Sequence, residues 1–246
     1  MDQISIYLQN LIRFKTIGNN KDEFIRCFDY ISKVIDEDVH DWFYREYQSN
    51  GISSRVYSSR KYIQKDEKIF DIILYANIDV VDAKDEGFIP RLIDGRMYGR
   101  GAADMKFAVA AHLETLKNLE EKYLDKKIAL LITTDEELGG INGVKHLVDN
   151  EGFRAKVIIG PNGMPSEDYW QLEIKNKGTI HTKLTAKGTP SHGSRKWEGD
   201  NALDRLIDMY KKLQREFDLG DADTWKSTLN LGKLNGGFAT NAVADS

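Results

Sequence analysis

The sequence predicts a three-layer α/β domain with a mostly parallel sheet, followed by a smaller, partial α+β domain of β-α-β type. Three observations carry this reading. Short apolar runs at residues 70–76, 128–133 and 157–160 have the length and composition of strands buried on both faces of a parallel sheet. Segments with helical periodicity alternate with them, as βαβ units require. From about residue 171 the texture changes to strand-like alternation and one amphipathic helix.

Taken in chain order, Ile4, Leu8, Leu11 and Ile12 fall on one face of a first helix. Phe24, Phe28, Ile31 and Ile35 fall on one face of a second, and Gly18-Asn19-Asn20 separates the two. Residues 41–58 hold two strand-like runs broken by Asn50-Gly51, a hairpin signal. A polar stretch after the 70–76 run extends to about residue 104. Met105, Val109, Leu113 and Leu116 then mark a helix, and residues 143–148 a shorter one. The domain boundary is expected near Gly163-Met164-Pro165-Ser166, giving domains 1–170 and 171–246. In the second domain Ile174, Ile180, Thr182, Leu184 and Ala186 alternate as in strands. Residues 201–217 form a helix with Leu203, Leu206, Tyr210, Leu213 and Phe217 on its apolar side, and residues 227–234 read as a strand. The chain stops as Thr240-Asn241-Ala242-Val243 begins to read as a further strand, so an incomplete fold is expected.

The bulk properties exclude several classes. Among 246 residues, 41% are hydrophobic and 30% charged, as in a soluble globular protein. The net charge of −4 comes from interspersed acids and bases with no basic stripe, which argues against a nucleic-acid partner. No stretch approaches the roughly 18 apolar residues that span a bilayer, and the N-terminus lacks a secretory pattern. With the single cysteine, Cys27, no internal disulfide can form, and a cytoplasmic location is expected.

Three acidic segments follow buried strands, at the sheet end where open α/β folds bind ligands. They are Tyr75-Ala76-Asn77-Ile78-Asp79, Gly99-Arg100-Gly101-Ala102-Ala103-Asp104 and Thr133-Thr134-Asp135-Glu136-Glu137. Each has a bland alternative. Asp79 can cap a turn, Asp104 can cap the helix that follows it, and the 135–137 run can be a solvated helix start. Gly99-x-Gly101 is only half of a dinucleotide fingerprint and follows a polar loop.

In order along the chain, the stretches LYANIDVV, YGRGAADMKFAVAA, LLITTDEELGGINGVKHL, KGTIHTKLTAKGTPSHGS, GDNAL and LNGGFATNAV resemble one family. It is the dizinc amidohydrolase family of aminoacylase, carboxypeptidase G, acetylornithine deacetylase and succinyl-diaminopimelate desuccinylase. The resemblance implies hydrolysis of an amide bond in a small, carboxylate-bearing N-acyl amino acid or peptide. It also implies one or two zinc ions and a homodimer formed through the small domain. By position, Asp104 would bridge two metals and Glu137 would bind one of them. Glu136 would be the general base, and Asp79 would orient the ligand two residues before it. His192 would steady the oxyanion in a partner's site, and Asn241 would touch substrate.

Two positions depart from the family pattern. Asn77 stands where the family places histidine, and Asn162 where it places Asp or Glu; both are weak ligands for zinc. Neither His40, His112, His146 nor His181 has the sequence context of a ligand. An oxygen-rich set would favour Mn or Mg over zinc. The expectation is impaired hydrolysis by this chain; the alternative is an inactive homologue or fragment that binds or dimerises.

Overall fold

Helix α1, Gln3–Ile12, starts where the Asp2 carboxylate accepts the Ser5 amide at 2.8 Å. It buries Tyr7, Leu8, Leu11 and Ile12, while Ile4 stays exposed. Helix α2, Lys21–Asp38, buries Cys27, Phe28, Ile31, Val34 and Ile35. Strands β1, Trp42–Ser49, and β2, Ile52–Ser59, pair antiparallel with Ser49 opposite Ile52. The two-residue loop between them has positive φ at Asn50 (46°) and Gly51 (77°), a conformation glycine adopts without strain. The next elements are α3, Arg60–Gln64, β3, Ile69–Asn77, and the small hairpin β4, Arg91–Ile93, with β5, Arg96–Tyr98. Helix α4, Lys106–Lys117, β6, Ile128–Thr133, α5, Val144–Asp149, and β7, Arg154–Ile159, complete this part.

The computed structural model describes residues 2–18, 20–119, 125–161, 177–217 and 225–246. The chain divides into two compact units, Met1–Gln171 and Leu172–Ser246.

In the first unit the main sheet has strand order β1-β2-β6-β3-β7. Strands β6, β3 and β7 run parallel, and the β1–β2 hairpin adds antiparallel to β6. One face carries the larger core, in which Leu11, Phe28, Ile31, Val109 and Leu113 pack on Tyr57, Leu74, Ala76, Leu130 and Ile132. The other face carries Val56, Phe70, Ile73, Leu131, Leu147 and Phe153. Two helical layers around one sheet give the three-layer α/β class. Burying each aliphatic side chain contributes about 1.5–3 kcal/mol, and β6 is buried at every position.

The order β6-β3-β7 places both acid-bearing loops together. Asn77 pairs with Thr133 at the carboxyl ends of neighbouring parallel strands, and the Ile78 amide donates to Thr133 O at 3.0 Å. The chain therefore leaves β3 towards Asp79 and β6 towards Asp135, Glu136 and Glu137 at one level of the sheet.

In the second unit, α6, Ala202–Glu216, is capped by Asn201, whose side chain accepts the Leu203 amide at 2.9 Å. Residues 240–245 run beside 188–193, with bonds from Gly188 N to Asp245 O (2.9 Å) and from Val243 N to Ser191 O (2.9 Å). The strands expected at 177–188 and 227–234 do not form there. Ile180 is 90% and Leu184 48% exposed, so the apolar members of the pattern are no more covered than the polar ones. Alternation specifies a face; a ladder also needs a partner strand. The expected strand start at residue 174 and the boundary residues 163–166 lie outside the described residues.

Candidate active site

The acids of the β3 and β6 loops are joined directly. Asp79, 3% exposed, accepts the Glu137 amide on Oδ2 at 2.8 Å. Its Oδ1 accepts Asn77 Nδ2 at 3.0 Å, and the same Nδ2 also reaches the Asp79 carbonyl at 3.1 Å. Asp79 therefore does cap a turn, but the turn belongs to the other loop: the 3-10 segment Glu136–Leu138. It also orients Asn77.

Asp135 turns inward. Its Oδ2 accepts Asn142 N at 2.8 Å and Gly143 N at 3.0 Å, which holds the following loop against β6. Glu136 and Glu137 stay half-buried. Asp104 is exposed and does not cap α4, because Met105 occupies the N-cap position and no side chain closes it. The Asp104–Met105 peptide is cis.

Electrostatics bring all three segments together. The Glu136 carboxyl is raised above its ordinary value by burial, then by the charges of Glu137, Asp79, Asp104 and Asp135. Glu137 is raised by burial, then by Asp104 and Asp79, and is partly relieved by the Val81 amide and Arg100. Burial raises Asp79 too, against the bonds from the Glu137 amide and Asn77. A cavity of about 560 Å³ opens beside them, lined by Ile17, Val80, Val81 and Leu138 with Asp79 and Glu137.

Within the first unit, His112 and His146 have partners other than these acids. His112 Nε2 is 3.1 Å from Tyr75 O and, because that carbonyl is an acceptor, donates to it. Burial lowers the His112 pKa and keeps the ring neutral. His146 lies 3.4 Å from Glu151, while His40 and His181 are exposed. In the second unit the structure brings His192 and Asn241 together. Gly193 N donates to Asn241 O at 2.7 Å, His192 bridges Ala242, and His192 Nδ1 pairs with Ser194 Oγ at 2.8 Å. Asn162 lies outside the described residues.

Residues 73–220 match the model of peptidase family M20/M25/M40. The chain belongs to that family. It is 32% identical to a succinyl-diaminopimelate desuccinylase of Parvibaculum lavamentivorans over 165 residues, 65% of this chain and 42% of that protein. A succinyl-diaminopimelate desuccinylase of Corynebacterium glutamicum is 30% identical over 181 residues, 71% of this chain and 48% of that protein. This M20-family chain thus spans less than half the length of these curated relatives. In fold it is similar to a tripeptidase of Staphylococcus aureus, with a TM-score of 0.62 at 20% identity over 99% of this chain and 63% of that one.

The M20/M25/M40 family generally binds zinc, so the donors present can be tested against that metal. Asn77 is fully buried, its Nδ2 is committed to Asp79, and its Oδ1 has no hydrogen-bond partner. That oxygen is a hard donor, as are those of Asp104, Glu136 and Glu137. Among the described residues, no group of three or more His, Cys, Asp and Glu side chains is arranged to hold a metal. This set does not fit a zinc pair.

Two residues that matter for the site carried no prediction from the sequence. Thr16 is fully buried beside the Asp79 segment, and Lys106 is fully buried beside the Asp104 loop. Lys106 had left a readable signal, since it lies in helical phase with Val109, Leu113 and Leu116 on the apolar side of α4.

Proposed function

We propose that this M20-family chain carries the water-activating part of an amide hydrolase. Its substrate would be a small, carboxylate-bearing N-acyl amino acid or peptide, and Glu136 would be the general base. The observation that carries this reading is the raised Glu136 carboxyl, held up by burial and four neighbouring acids. A carboxylate with a raised pKa is a stronger base and accepts a proton from water near neutral pH more readily than an ordinary one. The cavity beside Asp79 and Glu137 takes the apolar part of the substrate. Arg100, whose charge is felt at Glu137, is the candidate partner for the substrate carboxylate. His192 and Asn241, adjacent in the small unit, are the candidates for polar contact with the amide.

Asn77 supports a site weaker than that of its relatives, so hydrolysis by this chain is expected to be slow. Any cation bound to so oxygen-rich a set would be Mn or Mg before zinc. Exposed apolar side chains in the small unit, Ile180 at 90% and Phe238 at 76%, support a homodimer. A second reading, an inactive homologue that binds or dimerises, is favoured by the same Asn77.

The deciding experiment is a hydrolysis assay of the purified chain on N-succinyl and N-acetyl amino acids, dipeptides and tripeptides. It is run with Mn, Mg, Zn or chelator. Turnover that Glu136→Gln removes supports the hydrolase; saturable binding without turnover in every arm supports the second reading.

A further inference from the structure

The connector between α1 and α2 touches the Asp79 segment directly and, through Lys106, the Asp104 loop. Thr16, fully buried, donates from Oγ1 to Ile78 O at 2.5 Å and accepts the Val80 amide on its carbonyl at 3.0 Å. It is bonded to the residues on either side of Asp79. Two positions earlier on the same connector, Phe14 O accepts Lys106 Nζ at 2.7 Å, and Leu11 O accepts the same amine at 3.0 Å. Lys106 lies two residues after Asp104, and its amide donates back to Gly101 O at 2.9 Å, which closes the Asp104 loop on itself.

A fully buried amine is a costly way to fill space in a helix–helix contact, where methionine would pack as well. What the amine adds is direction. Leu11 is in the last turn of α1, where carbonyls carry partial negative charge and favour a cation; its oxygen accepts the Phe14 amide at 3.3 Å as well as the Lys106 amine. The amine thereby fixes the start of α4 to the end of α1.

We propose that Thr16 and Lys106 are positioning residues, and that the α1–α2 connector is a strut setting the separation of Asp79 from Asp104. The effect on turnover rests on the hydrolase reading above; the mechanical coupling does not.

The test uses the full chain in four forms: unsubstituted, Thr16→Val, Thr16→Ser and Lys106→Met. Backbone amide hydrogen exchange is resolved over residues 78–81 and 101–105, and kcat and KM are measured where turnover exists. Thr16→Val removes one bond, to Ile78 O, and is expected to speed exchange about tenfold at 101–105 as well as at 78–81. Lys106→Met is expected to do the converse. In an active chain kcat falls about 10- to 100-fold with KM nearly unchanged, because misplaced groups lose rate before binding. Thr16→Ser, which keeps the hydroxyl, restores both readouts. Faster exchange confined to the substituted side overturns the strut; cross-coupled exchange with unchanged kcat in an active chain overturns the positioning role of Thr16 and Lys106. If the chain has no turnover, the hydrolase reading fails and exchange alone decides the strut. If Lys106→Met does not fold, Thr16→Val decides by the same criterion.

Discussion

The Glu137 amide donates to Asp79 Oδ2 at 2.8 Å, so the loop after β6 is held by a carboxylate from the loop after β3. Removing that carboxylate leaves the Glu137 amide and Asn77 Nδ2 without their partner in a buried place. Asp79→Ala is expected to lower unfolding free energy by about 2–4 kcal/mol. Urea denaturation checks this, and a loss below about 0.5 kcal/mol, the usual range for surface changes, would show that the two loops are held by other contacts.

Asn77 is placed so that a histidine could use its surroundings. Asp79 Oδ1 already accepts from the Asn77 side chain at 3.0 Å and would accept an imidazole N–H, the arrangement that orients metal-bound histidines. Asn77→His is expected to raise zinc affinity at least about tenfold, read by competition with a chelating dye. Equal affinity in the two chains would mean that this side chain does not face the acids.

The clustered acids make stability depend on pH in a stated direction. Glu136 and Glu137 are raised in the folded chain, so above the ordinary carboxylate range the folded state holds more protons than the unfolded one. Stability attributable to these groups therefore falls as pH rises through that range and beyond, and is unaffected below it. Glu136→Gln and Glu137→Gln are each expected to raise Tm by about 2 °C near pH 7.5 and to leave it unchanged near pH 4. Thermal melts in chelator at the two pH values measure this, and a gain larger at the lower pH would reverse the sign.

Gly143 sits against β6 so closely that an added β-carbon would lie 2.0 Å from Asp135 Oδ1 and 3.1 Å from Thr133 Cβ. Gly143→Ala must push Asp135 away from the amides it holds. A loss of about 1–3 kcal/mol is expected, with displacement of the adjoining Glu136–Leu138 turn. Chemical denaturation gives the first, and any turnover should fall with it; a neutral effect would mean that the Asp135 contact yields easily.

Much of this was legible in the sequence, for identifiable reasons. The bounds of β6 match the apolar run at residues 128–133, because a strand buried on both faces has no polar position to blur its ends. In α1, by contrast, Tyr7 rather than Ile4 is buried, since its hydroxyl finds Asp38 at 2.5 Å and the ring can enter the core. The 135–137 run was legible as acidic but not as divided. Only tertiary contact with Asn142 and Gly143 separates the inward Asp135 from Glu136 and Glu137. Thr16 left no signal, because its partners at Ile78 and Val80 are backbone atoms more than sixty residues away. The small-unit strand bounds were less legible: Leu184 is 48% exposed, and alternation alone names no partner strand.

The most direct test of the central claim, that Glu136 is a base made strong by its acidic neighbours, is the pH profile of kcat/KM for the unsubstituted chain beside Glu136→Gln. The unsubstituted chain should show an ascending limb with an apparent pKa above the ordinary glutamate value of about 4.3, and the variant a rate about 10²- to 10⁴-fold lower without that limb. Equal rates and superimposable profiles for the two proteins would contradict it.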